Sequence, residues 1–149
     1  MSKEQEYAFR IVKAMNRFDR AYMKNPGYTT ANGYQLILLY ALEDGIPRTQ
    51  KDISEECMIP RTTVNSIVKK YEKKGYIELK HVAGTRRKME IYLTESGKEY
   101  AKNILAAVHR AEYKAFSETL KEFSPDFIDA YEKLAENMEK AFEGENQYK

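Results

Sequence analysis

Apolar residues fall at steps of three and four along most of this chain, and at steps of two in one short stretch. Between residues 4 and 23, Tyr7, Ile11, Met15, Phe18 and Tyr22 share one face of a helix, and Asn25-Pro26-Gly27 stops it. A second helix over about residues 30–44 carries Leu36, Ile37, Leu38, Leu39, Tyr40 and Leu42. It is apolar on most sides, which predicts a central, buried position. Gly45 and Pro47 end it. Thr49 caps a short helix, with Asp52 at the capping-box position and Ile53 and Cys57 on the inner face. Met58-Ile59 forms a brief turn, and Pro60 suits the first turn of the next helix. That helix runs to about Lys74 with Val64, Ile67, Val68 and Tyr71 at i, i+3, i+4 and i+7, and Gly75 ends it.

The period then changes. Ile77 and Leu79 alternate with Glu78 and Lys80, and Met89, Ile91 and Leu93 alternate with Glu90 and Tyr92, which predicts two strands. Their connection, about residues 81–88, holds Gly84 and three consecutive cations and reads as an exposed hairpin tip. Thr94 caps a long helix over about residues 95–123, with Tyr100, Ile104, Val108, Ala111 and Ala115 on one face. Ser124-Pro125-Asp126 starts a last helix with Phe127, Tyr131, Leu134, Met138 and Ala141 in register. The polar tail from Glu143 to Lys149 is expected to fray.

Two short helices joined by a tight turn and followed at once by a basic hairpin make a winged helix-turn-helix pattern. With Val64, Ile67, Val68 and Tyr71 inward, Thr62, Ser66, Lys69 and Lys73 point outward. Asn65 and Lys70 flank that stripe, and Arg61 and Thr63 stand at its start. Short hydroxyl and amide groups near the N-terminal end suit base edges, and lysines toward the other end suit phosphates. The hairpin would reach the backbone or the minor groove through Arg86, Arg87 and Lys88.

Charge supports that reading more than composition does. The chain holds 25 Lys and Arg against 23 Asp and Glu, yet Arg61 to Lys88 holds nine basic residues against Glu72 and Glu78 alone. A basic segment in an otherwise acidic chain is the footprint of a polyanion partner. Its 149 residues amount to one compact domain, or a small domain with helical additions, and 42% hydrophobic content suffices for a packed core. With 32% charged residues and a mean hydropathy of −0.72, there is no run of about 18 apolar residues to span a membrane. The charged start Met1-Ser2-Lys3-Glu4 lacks the apolar stretch of a signal peptide, so a cytoplasmic location is expected.

Other chemistry finds little support. One cysteine excludes an internal disulfide, and Cys57, beside Ile53, reads as a small buried hydrophobe. His81 and His109 have no partner at ligand spacing, so neither a metal nor a cofactor is expected. No phosphate-binding glycine loop or catalytic constellation is present, so the chain does not read as an enzyme.

Several segments together carry a family resemblance. Thr49-Gln50-Lys51-Asp52-Ile53 looks like the opening of the first helix of the motif, and residues 63–77 look like a recognition helix with its following Gly-hydrophobic-hydrophobic turn, Tyr71 standing in the usual Leu place. The wing pattern D-x-R, five residues, L-T-x-x-G is matched at Arg87, Leu93, Thr94 and Gly97, with Thr85 where Asp is usual. The sequence resembles the MarR family of winged-helix regulators over nearly its whole length. The resemblance implies a two-fold dimer in which the first and the last two helices interlock, and each protomer presents one winged helix to half of a pseudo-palindromic operator on double-stranded DNA. It also makes Arg87 the wing-tip arginine of the minor groove, where Thr85 offers a hydroxyl but no charge.

The expected fold is therefore mainly α with a small β-wing: a winged helix-turn-helix over residues 31–94, flanked by dimerisation helices over 1–30 and 95–149. Tyr7, Phe18, Tyr100, Phe116, Phe127, Tyr131 and Phe142 need more cover than one winged helix provides, which points to a homodimer rather than a monomeric bundle. A dimer would set two recognition helices about 34–36 Å apart, one turn of B-DNA. The expected function is a sequence-specific DNA-binding regulator, a repressor released by a small aromatic or anionic effector. Among 12 tyrosines, Tyr22, Tyr34 and Tyr40 are candidates to line the effector pocket. The rival reading is a winged helix used for protein–protein contact, which predicts no salt-dependent DNA affinity.

Overall fold

The computed structural model describes residues 1–24 and 33–146. The stop signal at Asn25-Pro26-Gly27 lies outside them. Among the described residues there are six helices and three short strands: α1 (Lys3–Met23), α2 (Gly33–Glu43), β1 (Arg48–Thr49), α3 (Gln50–Glu56), α4 (Arg61–Lys73), β2 (Ile77–His81), β3 (Met89–Leu93), α5 (Glu95–Thr119) and α6 (Asp126–Asn146). They fall into two compact units, Met1–His109 and Arg110–Lys149, with α5 beginning in the first and ending in the second. No described helix is long and apolar enough to cross a membrane.

In the first unit the core lies beneath the helix-turn-helix. Leu38, Leu39, Ile53, Ile59, Val64, Val68, Tyr71, Ile91, Leu105 and Val108 are buried, drawn from α2, α3, α4, β3, α5 and the turn before α4. The central role expected of α2 holds: Leu36, Leu38, Leu39 and Leu42 are buried on different sides of it. Capping fixes where α3 begins. The Thr49 hydroxyl accepts from the Asp52 N–H at 3.2 Å, and the Asp52 carboxylate accepts from the Thr49 N–H at 2.8 Å. Two backbone donors are thereby satisfied reciprocally, and the Thr49 N–H and hydroxyl, both donating to the Asp52 carboxylate at 2.8 Å, hold that carboxyl below its ordinary range.

The sheet is antiparallel in the order β1-β3-β2, with Ile77 opposite Leu93, Leu79 opposite Ile91, and Arg48 opposite Ile91 on the other edge. Strand β1 was not legible from periodicity, because two residues cannot show an alternation. What holds it in place is Arg48. Its guanidinium clasps both Asp44 carboxylate oxygens, at 2.8 and 2.7 Å, and reaches Glu56 at 2.8 Å. It also donates to the Ala41 carbonyl, so one side chain ties the ends of α2 and α3 to the sheet edge.

Three expectations need correction. The long helix ends at Thr119 rather than near Phe123, its last turn giving way before Ser124-Pro125. Its buried stripe is Gly97, Ala101, Leu105 and Val108; Tyr100 and Ile104 are half-buried at its margin, and Ala111 and Ala115 are exposed. The small residues face inward because this end of α5 lies hard against the preceding turn. A Cβ built on Gly97 would stand 1.8 Å from the Tyr76 carbonyl oxygen. Cys57 is half-buried rather than buried, and closes α3 with its N–H on the Ile53 carbonyl.

In the second unit none of the described side chains of α6 is buried, and Phe127, Ile128, Tyr131, Leu134, Met138 and Phe142 are exposed. In the first unit α1 likewise buries none, leaving Tyr7, Phe9, Ile11, Met15 and Phe18 exposed.

Candidate nucleic-acid interface

The second helix of the motif, α4, is amphipathic as its sequence requires. Val64, Ile67, Val68 and Tyr71 are buried, and Arg61, Thr62, Ser66, Lys69, Lys70 and Lys73 are exposed. Thr63 and Asn65 are half-buried, so they stand at the flanks of the outward stripe rather than on it. Four residues separate α3 from α4. Within that turn Met58 takes φ 52°, a left-handed conformation uncommon for a residue with a Cβ, and Ile59 is folded into the core. Pro60 caps α4 without a side-chain bond, and α4 ends where Gly75 turns the chain at φ 73°.

The wing carries its cations at the open end of the β2–β3 hairpin. Arg86, Arg87 and Lys88 are all exposed. The tip is closed by backbone bonds from Val82 to Lys88 and from Thr85 to Val82, with Gly84 at φ 78° supplying the left-handed step. The Thr85 hydroxyl is spent in the same turn, donating to the Val82 carbonyl at 3.1 Å. It shapes the tip and does not brace Arg87.

Pairing separates these cations from several others. Arg61, Lys69, Lys70, Lys73, Arg86, Arg87 and Lys88 form no ion pair among the described residues, whereas Arg48, Lys51, Lys80, Lys98, Lys121 and Lys133 each sit within 4 Å of a carboxylate. Lys80 is held by Glu78 at 2.7 Å and lies 4.7 Å from the Tyr92 ring centre, and Lys74 lies over the Tyr76 ring. Of nine basic residues between Arg61 and Lys88, these two are engaged locally and the other seven form no ion pair or ring contact among the described residues, though the Lys88 charge acts on Asp52 through space. An unpaired surface cation keeps its full field and its donors for an incoming anion.

Toward the N-terminal end of α4, the Ser66 hydroxyl donates to the Thr62 carbonyl at 2.9 Å. Its proton is turned back into the helix, so what Ser66 presents outward is an acceptor. Periodicity overlooked a neighbour. A shallow groove of about 290 Å³ runs along α4, lined by Thr62, Thr63, Ser66, Ile67, Lys70 and Gln35 of α2. The Gln35 carbonyl oxygen accepts from the buried Tyr71 hydroxyl at 3.4 Å, which leaves its NH₂ group as the outward donor. Its signal in the sequence was a single polar residue in an otherwise apolar run.

The three candidate pocket tyrosines divide. Tyr22 and Tyr40 line one cavity of about 510 Å³ with Phe18, Asp19, Met23, Leu36, Ile37, Ala41 and Cys57. Tyr34 is exposed and does not line it. Burial pushes the Cys57 thiol up, toward its protonated form. No group of three His, Cys, Asp or Glu side chains suited to a metal occurs among the described residues.

Comparison with known proteins agrees with this geometry. Residues 27–88 match a family model described as MarR family. The regulator SarZ of Staphylococcus epidermidis, an HTH-type transcriptional regulator, is 30% identical over 122 residues, covering 82% of this chain and 80% of SarZ. A MarR family regulator from Neisseria meningitidis is 29% identical with a TM-score of 0.68, covering 97% of this chain and 99% of its own. NadR in complex with 4-hydroxyphenylacetate has a TM-score of 0.69 at 17% identity, over 93% of this chain and 95% of NadR, and so shares the fold. The chain therefore belongs to the MarR family of winged-helix DNA-binding transcriptional regulators.

Proposed function

We propose that this regulator is a homodimeric repressor that binds a pseudo-palindromic operator, acts in the cytoplasm, and has no catalytic role. The observation that carries the DNA reading is the set of seven unpaired cations on α4 and the wing. Thr62 and Ser66, flanked by Thr63 and Asn65, address base edges in the major groove. Lys69, Lys70 and Lys73 meet phosphates at the far end of α4, with Arg61 at its start. Arg86, Arg87 and Lys88 follow the strand into the flanking minor groove or along its backbone.

Dimerisation is supported by the apolar faces that α1 and α6 leave exposed, with residues 1–30 and 95–149 as the dimerisation region. Two copies would present two recognition helices about one DNA turn apart. The cavity lined by Tyr22 and Tyr40 is the candidate effector site, and a ligand there would lie against α2, which packs on α4. A ligand that favours a half-site spacing unsuited to the operator would release the DNA.

The test is fluorescence anisotropy on duplexes tiled across the DNA upstream of the coding region. The proposal expects one duplex to bind far more tightly than the rest, with two protomers per site, weakened by Arg87→Ala and by Ser66→Ala. Absence of binding at low salt would sink it in favour of a protein-contact role.

A further inference from the structure

The walls of the larger cavity are unequal in charge. Phe18, Tyr22 and Tyr40 bring aromatic rings to it, and Met23, Leu36, Ile37 and Ala41 complete an apolar lining. Phe18 and Tyr22 stand 5.2 Å apart, tilted by 41°. Behind the lining, the Tyr40 ring rests 5.8 Å from the His109 imidazole, which is itself bonded to Glu43 at 2.6 Å, so Tyr40 is braced. The one charged side chain on the described wall is Asp19, which has no ion-pair partner among the described residues. The cations of α1 near it in sequence, Arg17, Arg20 and Lys24, are not among the lining residues. Residues 25–32, next along the chain, include no charged residue.

Aromatic faces carry negative quadrupole potential and attract cations, most strongly where water is excluded. A carboxylate at the same wall adds to that field and opposes an anion. The volume, about 510 Å³, falls in the range that holds a small organic ligand. We infer that this cavity selects an organic cation with an aromatic or apolar body, and that Asp19 is the residue that sets the sign of the charge it accepts. The inference rests on the effector reading above, keeping its aromatic body and replacing its anionic alternative with a cation: the ring system is held by Phe18, Tyr22 and Tyr40, and the positive charge by Asp19.

The experiment uses full-length protein without DNA and two probes of matched shape and opposite charge, tetraphenylphosphonium and tetraphenylborate. Calorimetry measures each, and tyrosine fluorescence gives a second readout free of tryptophan, since the chain has none. The expected result is a preference for the phosphonium of about tenfold, falling at least about fivefold in Asp19→Asn, as a single partly screened charge contact allows. Tyr40→Ala weakens the phosphonium and places it in the cavity. Equal affinity for the two ions, tighter binding of the borate, an unchanged preference in Asp19→Asn, indifference to Tyr40→Ala, or no binding of either ion overturns the inference. Operator binding by the same preparation is measured separately, so a failure here is distinguishable from failure of the DNA reading.

Discussion

The Thr94 hydroxyl donates to the Gly75 carbonyl at 2.6 Å, joining the residue that ends the recognition helix to the residue that starts α5. Ser96 adds a second hydroxyl to the same carbonyl at 2.9 Å, and the Gly97 N–H returns to the Thr94 oxygen at 3.0 Å. The backbone N–H of Thr94 also meets the Tyr76 carbonyl at 3.0 Å. A carbonyl left over where α4 stops is thus satisfied by the cap of another helix. The end of α4 and the first turn of α5 are thus joined by direct hydrogen bonds.

Gly97 makes that junction possible. A methyl group there would collide with the Tyr76 carbonyl, a backbone group in the turn between α4 and β2. Gly97→Ala is expected to cost about 2 kcal/mol or more. Thermal unfolding followed by circular dichroism checks this, and a midpoint within about 2 °C of the wild type would show that α5 shifts without penalty.

Acid should loosen the clasp around Arg48. The guanidinium bonds hold the Asp44 carboxyl at about 2, against an ordinary 3.8, with the Ile46 N–H adding to the effect. Because the folded value is the lower one, the contribution is full above about pH 4 and is lost as pH falls toward 2. The Asp44 side chain is 42% exposed, so solvent screens the pair, and Asp44→Asn is expected to cost only about 1 kcal/mol at neutral pH. Stability measured from pH 6 to pH 2 should fall less steeply in the variant than in the wild type.

Gln35 should contribute to operator binding. Its amide stands in the groove with Thr62, Ser66 and Lys70, and Tyr71 holds its carbonyl oxygen. Gln35→Ala is expected to lower operator affinity about fivefold, in line with one modest polar contact. Tyr71→Phe, which removes only the hydroxyl, should move affinity in the same direction by less while leaving the fold intact. Unchanged affinity in both variants would restrict the interface to α4 and the wing.

Much of this was legible in the sequence because its signals are local. The Thr49–Asp52 box, the i, i+3, i+4 spacing from Val64 to Tyr71 and the alternation around Ile91 each declare an element without reference to the rest of the chain. The outward stripe followed from the same wheel, and Arg61, Thr62, Ser66, Lys69, Lys70 and Lys73 are exposed. What depended on distant contacts was not legible. Strand β1 exists because Arg48 finds Asp44 and Glu56, and the buried face of α5 turned toward Ala101 and Leu105 because Gly97 meets Tyr76. Gln35 joined the groove only through the packing of α2 on α4, and Tyr34 left the cavity for the surface.

The central claim is that unpaired cations on α4 and the wing bind DNA phosphates, and the most direct test is the slope of log affinity against log salt on the operator duplex. Each phosphate contact that releases a counterion steepens the slope by about 0.9. Lys69→Ala with Lys73→Ala should make it shallower by roughly two per protomer, and Lys121→Ala, whose ammonium is held by Glu118 at 2.7 Å, should leave it unchanged. A slope near zero for the wild type, or the same slope in all three proteins, would contradict the account.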